Sequence, residues 1–153
     1  MSHDDTAVQL RVLDVENYAD VLALEVKPEQ RGYVATNAKS LAQAHFHDEA
    51  WYRGIYAGDV PVGFVMLEVQ PDKAEYAVWR FMIAAEHQGK GYGRKAMQLV
   101  IDHVRTLPNA TELLLSHISG EHEPGPFYES LGFAYTGELL EGERIMRLPL
   151  DAS

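Results

Sequence analysis

The 153-residue sequence contains no cysteine, which removes disulfides, thiolate–zinc sites and any cysteine nucleophile from its chemistry. No apolar run approaches the roughly 20 residues that a membrane-spanning helix needs. The start lacks the basic stretch followed by an apolar one that marks an export signal. A cytoplasmic protein without a membrane partner is therefore expected. Positive charge is scarce: 13 Lys and Arg stand against 23 Asp and Glu, for a net charge of −10. That disfavours nucleic acid as a partner, because phosphate backbones are bound by clustered cations. It suits a cationic substrate, although acidity also serves solubility alone. Low-complexity tracts, internal repeats and linkers are absent too. With 46% hydrophobic residues, the chain reads as a single domain over residues 1–153, long enough for a substantial core. Only a polar head, Met1 to Thr6, and a short tail after Leu150 fall outside that pattern.

What is present is an alternation of strand and helix patterns. Val8 to Leu13 reads as a strand and Val15 to Glu25 as a helix with Asn17 near its start. Asn37 is a candidate N-cap for a second helix through Leu41, Ala44 and His45. Trp51 to Ala57 and Val60 to Val69 flank Gly58-Asp59 as a hairpin, and Ala74 to Ile83 supplies the next strand. From Arg94 to Thr106, Met97, Val100, Ile101 and Val104 recur at i, i+3, i+4 and i+7, the spacing of an amphipathic helix that ends near Pro108. Leu113-Leu114-Leu115 reads as a strand buried on both faces, and Ala134 to Glu138 with Arg144 to Leu148 as a closing strand pair.

Between the strand ending at Ile83 and the helix lies Gln88-Gly89-Lys90-Gly91-Tyr92-Gly93. Glycines let a backbone turn with its N–H groups inward, and the following helix brings the positive end of its dipole to the same place, so the loop reads as a pyrophosphate cradle. Lys90, Arg94 and Lys95 add cations nearby. Two other phosphate loops do not fit. A P-loop requires Ser or Thr after Gly-Lys, and Gly91 stands there. The dinucleotide fingerprint requires Gly or Ala at position 94, which is Arg94. An ordinary glycine-rich strand-to-helix loop stays open as the plainer reading.

Gln88, Gly91 and Gly93 match Q/R-x-x-G-x-G/A, and Phe127-Tyr128-Glu129-Ser130-Leu131-Gly132-Phe133 resembles a downstream FYxxLGF segment. Together they are similar to the signatures of the GNAT N-acetyltransferases, and the resemblance extends over nearly the whole chain. It implies an α/β (α+β) fold, a single mixed, mostly antiparallel sheet flanked by helices in the order β-α-α-β-β-β-α-β-α-β-β. It also implies acetyl-CoA as co-substrate, bound by the cradle residues Gln88 to Lys95. Backbone groups of Phe81, Met82 and Ile83 would hold the pantetheine arm and acetyl oxygen at a gap where two strands splay. An N–H aimed at the oxyanion contributes about 3 kcal/mol of transition-state stabilisation. Tyr128 matches the general acid that protonates the departing thiolate. Read without the motif, it is a core tyrosine beside Phe127.

The same resemblance exposes departures. Many relatives carry a carboxylate on the strand before the cradle, where this chain has Trp79 and Arg80. Glu68 and His117 are substitutes as eventual proton acceptor, each through water. Near Glu121 relatives often place an asparagine that touches pantetheine. The Gly and Pro residues from Pro124 to Pro126 should delay the next helix to about Pro126. Gln30 to Asn37, Trp79 to Ile83 and Tyr135 to Glu138 resemble the bacterial spermine/spermidine (diamine) acetyltransferase branch. That branch implies a polyamine acceptor, with Glu25, Glu29 and Tyr33 as candidate holders of its ammonium groups; ordinary surface residues are the alternative. An aminoglycoside, another small amine or a protein N-terminus is a further acceptor within the class. A non-catalytic acyl-CoA sensor is the rival outside it. Homodimers are common among relatives. No metal is expected: His45 and His47, at i and i+2, point to different faces of a helix.

Overall fold

A computed structural model describes residues 6–150; the polar head and tail fall largely outside the described residues. Its elements run β1 Val8–Arg11, α1 Tyr18–Leu22, α2 Asn37–His45, β2 Ala50–Ala57, β3 Val60–Gln70, β4 Glu75–Ile83, α3 Tyr92–Arg105, β5 Glu112–His117, α4 Gly125–Ser130, β6 Ala134–Leu140 and β7 Glu143–Pro149. This is the expected order. The strands form one seven-stranded sheet, β1-β2-β3-β4-β5-β7-β6. Only β4 and β5 pair in parallel; all other neighbours are antiparallel.

β3 explains why one sheet carries two hydrophobic layers. Val62 to Leu67 are almost wholly buried apart from chain position, and successive side chains leave a strand on opposite faces. Val65 and Leu67 join a cluster with Ala96, Met97, Val100, Ile101 and Val104 of α3. Phe64 and Met66 join Val21 of α1 and Met82 in a second cluster, against which Ala44 of α2 packs. The helical face read from Met97, Val100, Ile101 and Val104 is thus the buried one.

Several boundaries differ from the sequence pattern for physical reasons. Thr36, not Asn37, caps α2: its Oγ1 accepts from the Lys39 amide at 3.2 Å. Asn37 is buried, and its Nδ2 donates to the Val21 carbonyl at 2.9 Å, tying α2 to α1. α1 begins only at Tyr18 because the preceding residues form a local turn, in which Asp14 Oδ1 accepts from the amides of Glu16 and Asn17. α3 starts at Tyr92, two residues before Arg94, and α4 at Gly125, with Pro126 in its first turn.

Gly63 of β3 pairs with Ile83 of β4. A Cβ there would lie 2.3 Å from the Met82 carbonyl oxygen. Because the obstacle is backbone, Gly63→Ala is expected to lower unfolding free energy by about 1–3 kcal/mol; urea denaturation checks this, and an unchanged midpoint would contradict it.

Candidate active site

The site originates in a failure of strand pairing. β4 and β5 share only two registered pairs, Ala77 with Leu114 and Val78 with Leu115. Beyond them β4 continues to Ile83 and β5 to His117 without pairing to each other. The divergence begins at a bulge: opposite β3, Met66 faces Arg80 and Leu67 faces Val78, leaving Trp79 as the extra residue. A cleft of about 870 Å³ opens at this gap. Phe81, Met82 and Ile83 line it on β4.

The glycine loop forms the wall of that cleft nearest α3. Gly91 adopts φ 86°, a left-handed backbone that L side chains rarely take, and forms the N-cap with no side-chain cap. As at every helix start, the first-turn N–H groups make no i to i−4 bond, and Gly91, Tyr92, Gly93 and Arg94 all line the cleft. A helix N-terminus behind a glycine turn is an arrangement that can receive an anion. Gln88 locks the loop in place: its Nε2 donates to the Ile83 carbonyl at 2.8 Å, and its amide exchanges hydrogen bonds with that of Gln30 at 2.8 and 3.2 Å. Gly89 also lines the cleft. Arg94 donates to the carbonyl and hydroxyl of Ser130, joining the cradle to α4. Lys90 is exposed and outside the lining; Lys95 turns toward β1, where its Nζ donates to the Thr6 carbonyl at 3.4 Å.

Across the cleft, α4 presents Tyr128, 7% exposed and lining the cavity. It stands in an aromatic series: Phe81 stacks on Phe127 at 5.9 Å, Phe127 meets Tyr128 edge-on at 5.3 Å, and Tyr128 meets Phe133 at 5.6 Å. Burial pushes the phenol well above its ordinary pKa, so it holds its proton at neutral pH. Both readings of Tyr128 thus describe one place: it packs in the core and faces the cleft. His117, 4% exposed, is occupied on both ring nitrogens. Its Nδ1 lies 3.0 Å from the Ile118 carbonyl, which requires a proton there, and its Nε2 lies 2.8 Å from the Tyr135 hydroxyl, which then donates.

On the acceptor side, Tyr33 lines the cleft, and its hydroxyl accepts from the His122 amide at 3.1 Å, bridging the α1–α2 connection to the β5–α4 loop. Glu25 and Glu29 are exposed and outside the lining, and so is Glu121, whose carboxylate is directed at His122 at 4.0 Å. Sequence reasoning missed a second cleft of about 460 Å³, lined by Gln43, Glu68, Glu141 and Glu143 among others. It shares Val78, Trp79, Arg80, Ser116 and Glu143 with the first. Arg80, half-buried between them, donates to Gln43 Oε1 at 2.8 Å and to the Trp79 carbonyl at 2.9 Å; its Nε is buried without a partner. The only available signal for Glu143 was the Glu141-Gly142 turn, which sets it at the first position of β7. Among the described residues, no three His, Asp or Glu side chains converge as a metal site.

A strand, a glycine turn and a helix over a splayed sheet, with the Tyr128 phenol on the same cleft, make up one continuous site. Residues 18–133 match the acetyltransferase (GNAT) family, and the chain belongs to that family of N-acetyltransferases. The spermine/spermidine N(1)-acetyltransferase of Bacillus subtilis (strain 168) is 29% identical over 150 residues, spanning 92% of this chain and 97% of the relative. The spermidine N(1)-acetyltransferase of Vibrio cholerae is 31% identical over 106 residues, 67% of this chain and 61% of that protein. Among solved structures, Vibrio cholerae spermidine N-acetyltransferase in complex with CoA and spermine superposes with a TM-score of 0.70 at 21% identity, covering 94% of this chain and 95% of that one. The ribosomal-protein-S18-alanine N-acetyltransferase of Escherichia coli has the same fold, with a TM-score of 0.70 at 18% identity and 96% of both chains covered.

Gly91→Asp adds a carboxylate beside the uncapped amides at a left-handed position. It is expected to raise the CoA Kd about tenfold or more, a loss of about 1.4 kcal/mol, by calorimetry. Gly91→Asn tolerates that backbone without adding charge and is expected to bind more tightly than Gly91→Asp. Equal CoA affinity in wild type and Gly91→Asp would contradict the cradle.

Proposed function

We propose that the protein transfers acetyl from acetyl-CoA directly to a primary amine of a polyamine such as spermine or spermidine. The observation that carries this reading is the meeting of two unlike clefts at one gap in the sheet. One offers helix amides, Arg94 and Tyr128, with Glu123 as its own carboxylate; the other is lined by Glu68 and Glu141, and Glu143 stands in both. Carboxylates attract a chain of ammonium groups and repel CoA phosphates, so charge assigns each substrate to its own side. The relatives named for spermine and spermidine point to the same acceptor class.

The residues available support direct transfer. With no cysteine in the sequence, no acyl-cysteine intermediate can form. The amine attacks the thioester carbonyl while CoA lies against Phe81, Met82 and Ile83 with its pyrophosphate on the cradle. The developing thiolate takes its proton from Tyr128. The dry surroundings that raise the Tyr128 pKa disfavour a free phenolate, so its proton is given up only as the thiolate departs and is replaced at once. Tyr33 forms part of the wall along which the amine lies. Glu25 and Glu29 act at most on the far end of a long polyamine, since both stand outside the clefts. A sensor that only binds acyl-CoA would have no use for a protonated phenol at the gap.

With acetyl-CoA and a panel of spermine, spermidine, putrescine, aminoglycosides and an N-terminal peptide, CoA release is expected to be fastest with spermine or spermidine. A clear preference for an aminoglycoside or the peptide would overturn the polyamine acceptor. Tyr128→Phe is expected to lower kcat about 10²-fold with CoA binding retained; unchanged turnover would remove Tyr128 as the acid.

A further inference from the structure

We infer that Glu143 is the proton acceptor for the attacking amine, which reaches the thioester through the smaller cleft. The inference deepens the reading above and rests on it for an amine that arrives protonated. The larger cleft is lined by two carboxylates, Glu123 and Glu143, and the smaller by three, Glu68, Glu141 and Glu143. Glu143 alone belongs to both, so it is the carboxylate at the junction where the amine must meet the acetyl group.

Its placement follows from chain geometry. The turn through Glu141, φ 51°, and Gly142, φ 85°, makes Glu143 the first residue of β7. Pairing of β7 with β5 sets Arg144 opposite His117 and Ile145 opposite Ser116. This brings Glu143 to the open end of β5, one step beyond the His117–Arg144 pair, in the stretch where β5 no longer pairs with β4. Glu143 Oε1 accepts a hydrogen bond from Ser116 Oγ at 3.0 Å, and the side chain is half-buried. One carboxylate oxygen is thereby held, and the other is left to take a proton.

The other groups considered for this task are placed less well. Glu68 lines only the smaller cleft. His117 lines the larger one, but its Nε2 lone pair is taken by the Tyr135 hydroxyl and its Nδ1 faces a carbonyl. Where the family resemblance leads one to expect a carboxylate on this strand, the chain has Trp79 and Arg80. Arg80 and Glu143 interact electrostatically, which ties the guanidinium to the same junction.

The proton balance closes. The ammonium gives one proton to Glu143, directly or through a water, and the freed nitrogen attacks the carbonyl carbon. The C–N bond forms and the C–S bond breaks; the thiolate takes the Tyr128 proton. The second proton leaving nitrogen restores the phenol, so the products are the amide, CoA and one proton that passes from Glu143 to solvent.

The test compares wild type, Glu143→Gln and Ser116→Ala, each titrated with CoA and then assayed from pH 6 to 10 with the best amine of the panel. Glu143→Gln is expected to lower kcat/KM for the amine about 10²-fold or more near neutrality with the CoA Kd unchanged. The deficit should shrink as pH rises toward the amine pKa, near 10, because free amine then needs no base. The neighbouring groups that titrate are Arg80 on β4, Glu68 on β3, His117 on β5 and Glu141 in the turn; none is altered in these variants. Ser116→Ala should show a smaller deficit with the same pH trend. A Glu143→Gln enzyme within about twofold of wild type across the range, or one with a pH-independent deficit, overturns the inference and leaves the polyamine reading intact. A wild type that prefers another amine overturns the polyamine acceptor, and the same variants then decide Glu143 with that amine. A wild type that turns over no amine overturns both.

Discussion

Between β4 and β5 the sheet is held by two residue pairs, whereas β3 and β4 are paired from Gly63–Ile83 to Gln70–Glu75. Backbone N–H and C=O groups must find partners, and a strand that leaves its neighbour keeps them only if something else fills the gap. β4 can afford this because its other edge is fully laddered to β3 and because Gln88 takes up the Ile83 carbonyl. The bulge at Trp79 starts the divergence, and the aromatic series from Phe81 to Phe133 props it open. The cleft, the placement of α4 and the reach of β7 toward β5 all depend on that interruption.

The gap also separates charge in a protein whose net charge is −10. On the cradle side lie the uncapped amides of α3 and the Arg94 guanidinium, which bridges to Ser130. On the other side lie Glu68 and Glu141, with Glu143 at the junction. Arg80 stands between them, its charged form disfavoured by burial and favoured by Glu143. In the proposed reaction, a negatively charged carrier and a positively charged acceptor would approach from opposite mouths of one junction, which orients the reactants before any bond is made.

Much of this was legible in the sequence because it is local. The 3.6-residue spacing of Met97, Val100, Ile101 and Val104 gives the buried face of α3, and the Gln88 to Gly93 loop and the Phe127 to Phe133 segment fix the identity of the fold. The illegible parts are long-range. Asn37 has the look of a cap, yet its amide is spent on the Val21 carbonyl of another helix, leaving Thr36 to cap. Glu25 and Glu29 are acidic and lie in the right connection, but nothing local reports that their side chains face solvent. Lys95 is next to the cradle in sequence and turns to β1 in space. Glu143 is 50 residues beyond Gly93 by numbering, and only the β5–β7 register brings it to the gap.

A crystal structure with a bisubstrate analogue, spermine joined through an acetyl bridge to the sulfur of CoA, probes that junction most directly. The pyrophosphate is expected on the amides of Tyr92 to Arg94, the bridging carbon between the β4 backbone at Phe81 to Ile83 and the Tyr128 hydroxyl, and the polyamine arm past Glu143 into the smaller cleft. A pyrophosphate bound away from Gly91, or a polyamine arm leaving along Glu25 and Glu29, would contradict the assignment of the two clefts.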